Sequence, residues 1–91
     1  RPRALTAAQF DARIGKGAAL ARHPFARMAT RPGKRGRTWV FLAGQPFDTS
    51  ARLAKLLGHD EIVAADVGVL ADAERADLLK WLNLGLIGIV S

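Results

Sequence analysis

Two histidines, two serines, a run of carboxylates at 72–77 and five cations around one glycine-rich turn could do chemistry in this 91-residue chain. His23 and His59 stand far apart, and neither has a second ligand at helical or hairpin spacing. His59-Asp60-Glu61 sets three polar side chains in a row, but consecutive residues do not face one point. A metal centre needs three or four converging donors. Ser50 and Ser91 are the only serines, and no Ser–His–acid arrangement accompanies either. Ser50 sits where a helix needs a cap. Asp72, Glu74 and Asp77 fall at the start of a helical stretch, where acids complement the helix dipole. Gly33-Lys34-Arg35-Gly36 lacks the strand-to-helix context and glycine spacing of a phosphate-binding loop, and reads as a hairpin turn. The residues therefore nominate no catalytic residue, no cofactor-binding residue and no metal ligand, and the expected role is binding without bond-making.

The binding candidates come from charge. Up to Arg37 the chain carries eight Arg and two Lys against a single acid, Asp11. From Thr38 onward it carries two Arg and two Lys against seven acids. Five of the leading cations, Arg27, Arg31, Lys34, Arg35 and Arg37, gather around one turn. They form the expected interaction site, for an anionic protein surface or for nucleic-acid phosphates. Trp39 and Phe41 lie close by and read as the core-facing side of a strand.

Elements must position those cations. Thr6 and Gln9 have capping-box spacing, and Ala7, Phe10 and Ile14 make one helical stripe. Residues 18–22 read as a short helical turn stopped by Pro24. Strands are expected over 25–30 and 37–43, the second covered on both faces because its apolar run is continuous. The turn between them spans 31–36, and a brief strand starts at Phe47. Asp48, Thr49 and Ser50 compete to cap a helix ending at Leu57, and Gly58 stops it. Residues 62–70 are ambiguous, with Asp66 placed to cap a short helix. Asp72 caps a longer helix through Asn83, whose buried stripe is Ala71, Leu78, Leu79 and Leu82, with Asp77 and Lys80 paired on the wet side. A strand over 86–90 closes the chain.

That order describes an α+β, winged-helix-like domain of three or four helices with a small antiparallel sheet. Residues 1–91 are expected to form one domain, a basic helix plus hairpin over 1–47 and a helical, acidic part over 48–91. Its core is expected to hold Phe10, Ile14, Trp39, Phe41, Leu53, Leu57, Leu78 and Leu82. The chain has no Cys, so no disulfide framework, which fits a reducing cytoplasm. The apolar run at 84–90 is far short of the ~20 residues that span a bilayer. A start at Arg1 rather than Met gives the expectation of a piece cut from something longer, although a trimmed standalone protein would start the same way. In a helix-turn-helix the second helix reads bases. Here the matching stretch at 62–70, led by Asp60 and Glu61, has no Lys, Arg, Asn or Gln. Nucleic acid would therefore bind at the hairpin, without sequence-specific readout.

Several segments in order carry a family resemblance. They are Leu5-Thr6-Ala7-Ala8-Gln9-Phe10, Gly17-Ala18-Ala19-Leu20, and His23-Pro24-Phe25-Ala26-Arg27-Met28-Ala29. Then follow Val40-Phe41-Leu42-Ala43-Gly44-Gln45-Pro46-Phe47, Leu53-Ala54-Lys55-Leu56-Leu57, and the stretch Leu78-Leu79-Lys80-Trp81-Leu82-Asn83-Leu84-Gly85-Leu86-Ile87. Together they resemble the C-terminal winged-helix region of bacterial cupin/JmjC-type ribosomal-protein arginine hydroxylases. The resemblance implies an enzyme that uses Fe(II) and 2-oxoglutarate, bound by an H-x-D and a distant His in a cupin core. Neither His here is followed by x-Asp, so no ligand carries over. This chain would be the non-catalytic tail, shaping substrate access or a homodimer. Its expected partner is a protein or a neighbouring domain; the alternative is a standalone winged-helix protein that binds nucleic acid through the basic hairpin.

Overall fold

A computed structural model describes residues 4–90. The elements run α1 (Ala7–Gly15), β1 (Ala19–Arg22), β2 (Met28–Pro32), β3 (Arg37–Leu42), β4 (Gln45–Ser50), α2 (Ala51–Leu57), α3 (Ala64–Gly68), α4 (Asp72–Asn83) and β5 (Ile87–Val90). The architecture is α+β and winged-helix-like; among the described residues it has four helices, a two-stranded antiparallel sheet β1–β5 and a three-stranded antiparallel sheet β2–β3–β4. No helix among the described residues is long and apolar enough to cross a membrane.

The Thr6 capping box forms as its spacing predicts. Thr6 Oγ1 accepts the Gln9 amide at 3.2 Å, and Gln9 Oε1 accepts the Thr6 amide at 3.0 Å. Phe10 is then the one fully buried residue of α1, with Ile14 at the margin of the core. The helix start is anchored at a distance. Asn83, at the end of α4, accepts the Leu5 amide at 2.9 Å and donates to the Leu5 carbonyl at 3.0 Å.

Residues 19–22 are a strand, not the helical turn expected over 18–22. Leu20 is fully buried and bonded on both sides: β5 pairs along the whole strand, and Ile62 exchanges two backbone hydrogen bonds with Leu20 at 2.7 and 2.8 Å. The Ala-rich local sequence carries no strand preference, so tertiary pairing decides. Arg22 ends β1 and donates to the Leu57 carbonyl at 3.0 Å, capping the C-terminal end of α2.

The three-stranded sheet is a meander built on two tight turns. Arg35 and Gly36 have φ of 56° and 77°, and Ala43 and Gly44 have 52° and 82°. Two successive positive φ values mark type I′ turns, whose twist suits hairpin strands. β2 begins at Met28 rather than Phe25, because Pro24 and Phe25 form a turn closed by the Ala26 amide on the His23 carbonyl. Arg31 and Pro32 belong to β2 instead of the turn. Pro32 is tolerated as the last residue of an edge strand, where its missing N–H leaves no partner unpaired.

On β3 the face assignment reverses. Val40 and Leu42 are the buried pair, whereas Trp39 is 43% exposed and Phe41 half-buried. An antiparallel meander packs one face on helices and leaves the other wet. So Trp39 and Phe41 leave the expected core, and Ile14 and Leu82 are only partly buried against it. Phe10, Leu53, Leu57 and Leu78 sit in the cluster as expected, joined by Leu20, Val40, Leu42, Ile62, Val67, Leu70, Trp81, Leu86 and Ile87. On α4 the buried stripe is Glu74, Leu78 and Trp81, and Trp81 meets Phe47 edge-on at 5.8 Å.

Candidate binding surface on the three-stranded sheet

Strand register decides which side chains share the outer face, because residues directly opposite in an antiparallel pair point the same way. Arg31 lies opposite Trp39, which lies opposite Asp48. Ala29 lies opposite Phe41, which lies opposite Pro46. Arg37 shares this parity. The outer face therefore carries Trp39 and Phe41 on the central strand, with Arg31 on one flank and Asp48 on the other. The Asp48 carboxylate is engaged: Arg37 Nε donates to Oδ1 at 3.1 Å and Nη2 to the Asp48 carbonyl at 3.3 Å.

Lys34 and Arg35 are exposed in the β2–β3 turn, at one end of this sheet. Gly33 is required there, since a Cβ would stand 2.9 Å from the Arg37 carbonyl oxygen. Its amide bonds that same oxygen at 2.8 Å, closing the base of the turn. Among the described residues Arg31, Lys34 and Arg35 make no ion pair. Four of the five expected cations thus converge on one end of the sheet. Arg27 does not. It precedes β2 at the opposite end, roughly 13 Å from Arg31 by strand rise, beside the exposed Phe25 ring stacked on His23 at 5.1 Å. Arg37 belongs to the patch, but Asp48 offsets its charge.

Trp39 is the member that sequence reasoning placed elsewhere. The signal was parity: Arg37, Trp39 and Phe41 alternate with Thr38, Val40 and Leu42, and a charge on the first set argues that this set is the wet one. No aromatic ring stacks on Trp39 and no cation lies over it, among the described residues.

Several of the polar candidates have identifiable structural partners. No group of three His, Cys, Asp or Glu able to hold a metal occurs among the described residues. Ser91 lies outside them. Ser50, not Asp48 or Thr49, caps α2, accepting the Leu53 amide at 3.0 Å and donating to Glu74 Oε2 at 2.5 Å. Glu74 is 6% exposed and also takes the Arg52 guanidinium and the Ala71 amide, the latter at 2.8 Å. Chiefly through the Arg52 hydrogen bonds, its carboxyl is pulled down to about 2. Glu74 is thus a fixed anion tying the start of α2 to the start of α4.

Asp72 is not the α4 cap. Ala71 holds that position, and Asp72 pairs with Arg75. Asp66 likewise sits inside α3, where it reaches back to the Val63 amide at 3.3 Å. Asp77 and Lys80 do not pair: Asp77 accepts the buried Thr49 hydroxyl at 2.9 Å, and Lys80 lies over the Phe47 ring at 5.3 Å. Three neighbouring carboxylates therefore face three separate partners. A shallow groove of about 270 Å³ between α1 and α4 is lined by Phe10, Asp11, Asp72, Arg75 and Leu79. Its one cation, Arg75, is paired with Asp72.

No family model matches the chain, and no curated protein matches it either.

Proposed function

We propose that this chain is a non-catalytic docking domain that holds an anionic partner at the β2–β3 end of its three-stranded sheet. We assign it, on the order and spacing of its motifs, to the accessory winged-helix-like part of a cytoplasmic cupin/JmjC-type ribosomal-protein arginine hydroxylase. One observation carries the docking half: among the described residues Arg31, Lys34 and Arg35 sit together without acid partners, and the one acid on the same sheet face, Asp48, is already engaged by Arg37. Such a patch attracts polyanions and repels basic proteins. It suits an acidic neighbouring domain or ribosomal RNA, and works against direct docking of a basic ribosomal protein. The exposure of Trp39 favours a second reading, in which the domain serves as a nucleic-acid-binding module in its own right.

Retention on heparin tests the charge claim. The wild-type chain is expected to elute at higher salt than a variant carrying Arg31→Gln, Lys34→Gln and Arg35→Gln, whereas equal elution would place the anion site elsewhere. The gene tests the family claim. An upstream cupin core with H-x-D…H supports it, and a start codon immediately before Arg1 contradicts it.

A further inference from the structure

We infer that the outer face of β2–β3–β4 is a stacking platform for single-stranded nucleic acid, with an unpaired base on Trp39. The inference deepens the docking reading and rests on it for its electrostatic half. Trp39 lies on the central strand, 43% exposed, with no ring stacked on it among the described residues. A partly exposed indole on a sheet face is a surface on which an unpaired base can stack. Phe41 follows on the same face, roughly 6.6 Å along the strand, half-buried between Ala29 and Pro46.

Cations frame the platform where a backbone would run. Arg31 stands directly across from Trp39, and Lys34 and Arg35 rise from the adjoining turn. The one acid on the face, Asp48, is bound by Arg37, so it does not oppose phosphate at full strength. From 31 to 48 there are four cations and one acid. A duplex hides its base faces and could use only the cations. An acidic peptide could use the cations but not the indole. An unpaired strand uses both, and the combination selects it.

The test uses the 91-residue chain with four probes: the octanucleotides rU8 and dT8, heparin, and poly-glutamate. Trp81 is 1% exposed, so quenching of tryptophan fluorescence by an oligonucleotide reports Trp39. At low salt at least one octanucleotide is expected to bind and quench, with log K falling against log salt at a slope of about −2 for three phosphate contacts. The tighter of rU8 and dT8 identifies the physiological strand as RNA or DNA. Trp39→Ala, whose binding is read by fluorescence anisotropy of a dye-labelled octanucleotide because the reporter ring is gone, is expected to weaken that binding roughly tenfold or more and to leave heparin elution unchanged. Trp39→Phe is expected to restore most of it. Trp39 lies outside the core, and an unchanged thermal midpoint confirms that each variant is folded.

Full oligonucleotide affinity in Trp39→Ala overturns stacking while leaving the charged docking surface intact. Poly-glutamate binding that is equally sensitive to Trp39→Ala overturns the choice of nucleic acid in favour of an acidic protein. Heparin binding without binding of either octanucleotide overturns this inference alone, and failure to bind heparin as well overturns the docking reading beneath it.

Discussion

Replacing Glu74 by Gln should remove a pH-dependent part of this domain's stability. The carboxylate is 6% exposed and receives the Arg52 guanidinium, the Ser50 hydroxyl and the Ala71 amide. Its pKa falls from 4.5 to about 2, and the Arg52 hydrogen bonds are the largest cause. A carboxyl whose folded pKa lies below its unfolded value stabilises the fold above the unfolded value and loses that contribution as pH falls toward the folded one. The window is therefore about pH 5 down to pH 2. Taken in full, the shift is worth about 3 kcal/mol. The Arg52 side chain is 54% exposed, and solvent screening of the pair reduces this to about 1–2 kcal/mol. Urea unfolding followed by circular dichroism at pH 7, 5, 3 and 2 measures it. The stability difference between wild type and Glu74→Gln is expected to be about 1–2 kcal/mol at pH 7 and to vanish near pH 2. Other titrating groups cancel in that difference. A difference independent of pH, or none at pH 7, would refute the assignment of Glu74 as a fixed anion.

Two further substitutions address the scaffold. Ala43→Asn should raise stability by about 0.5–1 kcal/mol, because Ala43 holds a φ of 52° that Asn tolerates far better; thermal unfolding reads the change. Asn83→Ala should cost about 1 kcal/mol, since two hydrogen bonds to Leu5 disappear, and should speed hydrogen exchange of the Leu5 amide.

What the sequence made legible was local. The Thr6–Gln9 spacing specifies a capping box by itself, and glycines after Arg35 and Ala43 specify two hairpins without reference to anything distant. What it concealed was set by partners. Ala19–Arg22 becomes a strand because β5 and Ile62 supply hydrogen bonds from 42 or more residues away. The α4 stripe turns toward Trp81 because Phe47 stands there to receive it. The continuous apolar run at 39–43 concealed which side of β3 faces water, and with it the role of Trp39. The cations were legible as a cluster, yet Arg27 separates from it because β2 is extended and carries it to the far end. Asp48 looked like one of three caps, and its parity with Arg37 on the outer face gives it to the ion pair instead.

The central claim is that this domain works by holding an anion at one end of its sheet. The most direct measurement is an amide chemical-shift titration of the isotope-labelled chain with a short heparin fragment, at low and high salt. The account predicts shift changes concentrated at positions 29–41 and 45–49 that fade as salt rises. Changes centred on Arg13 of α1 and the adjoining Lys16, or on α3 and α4, would contradict it.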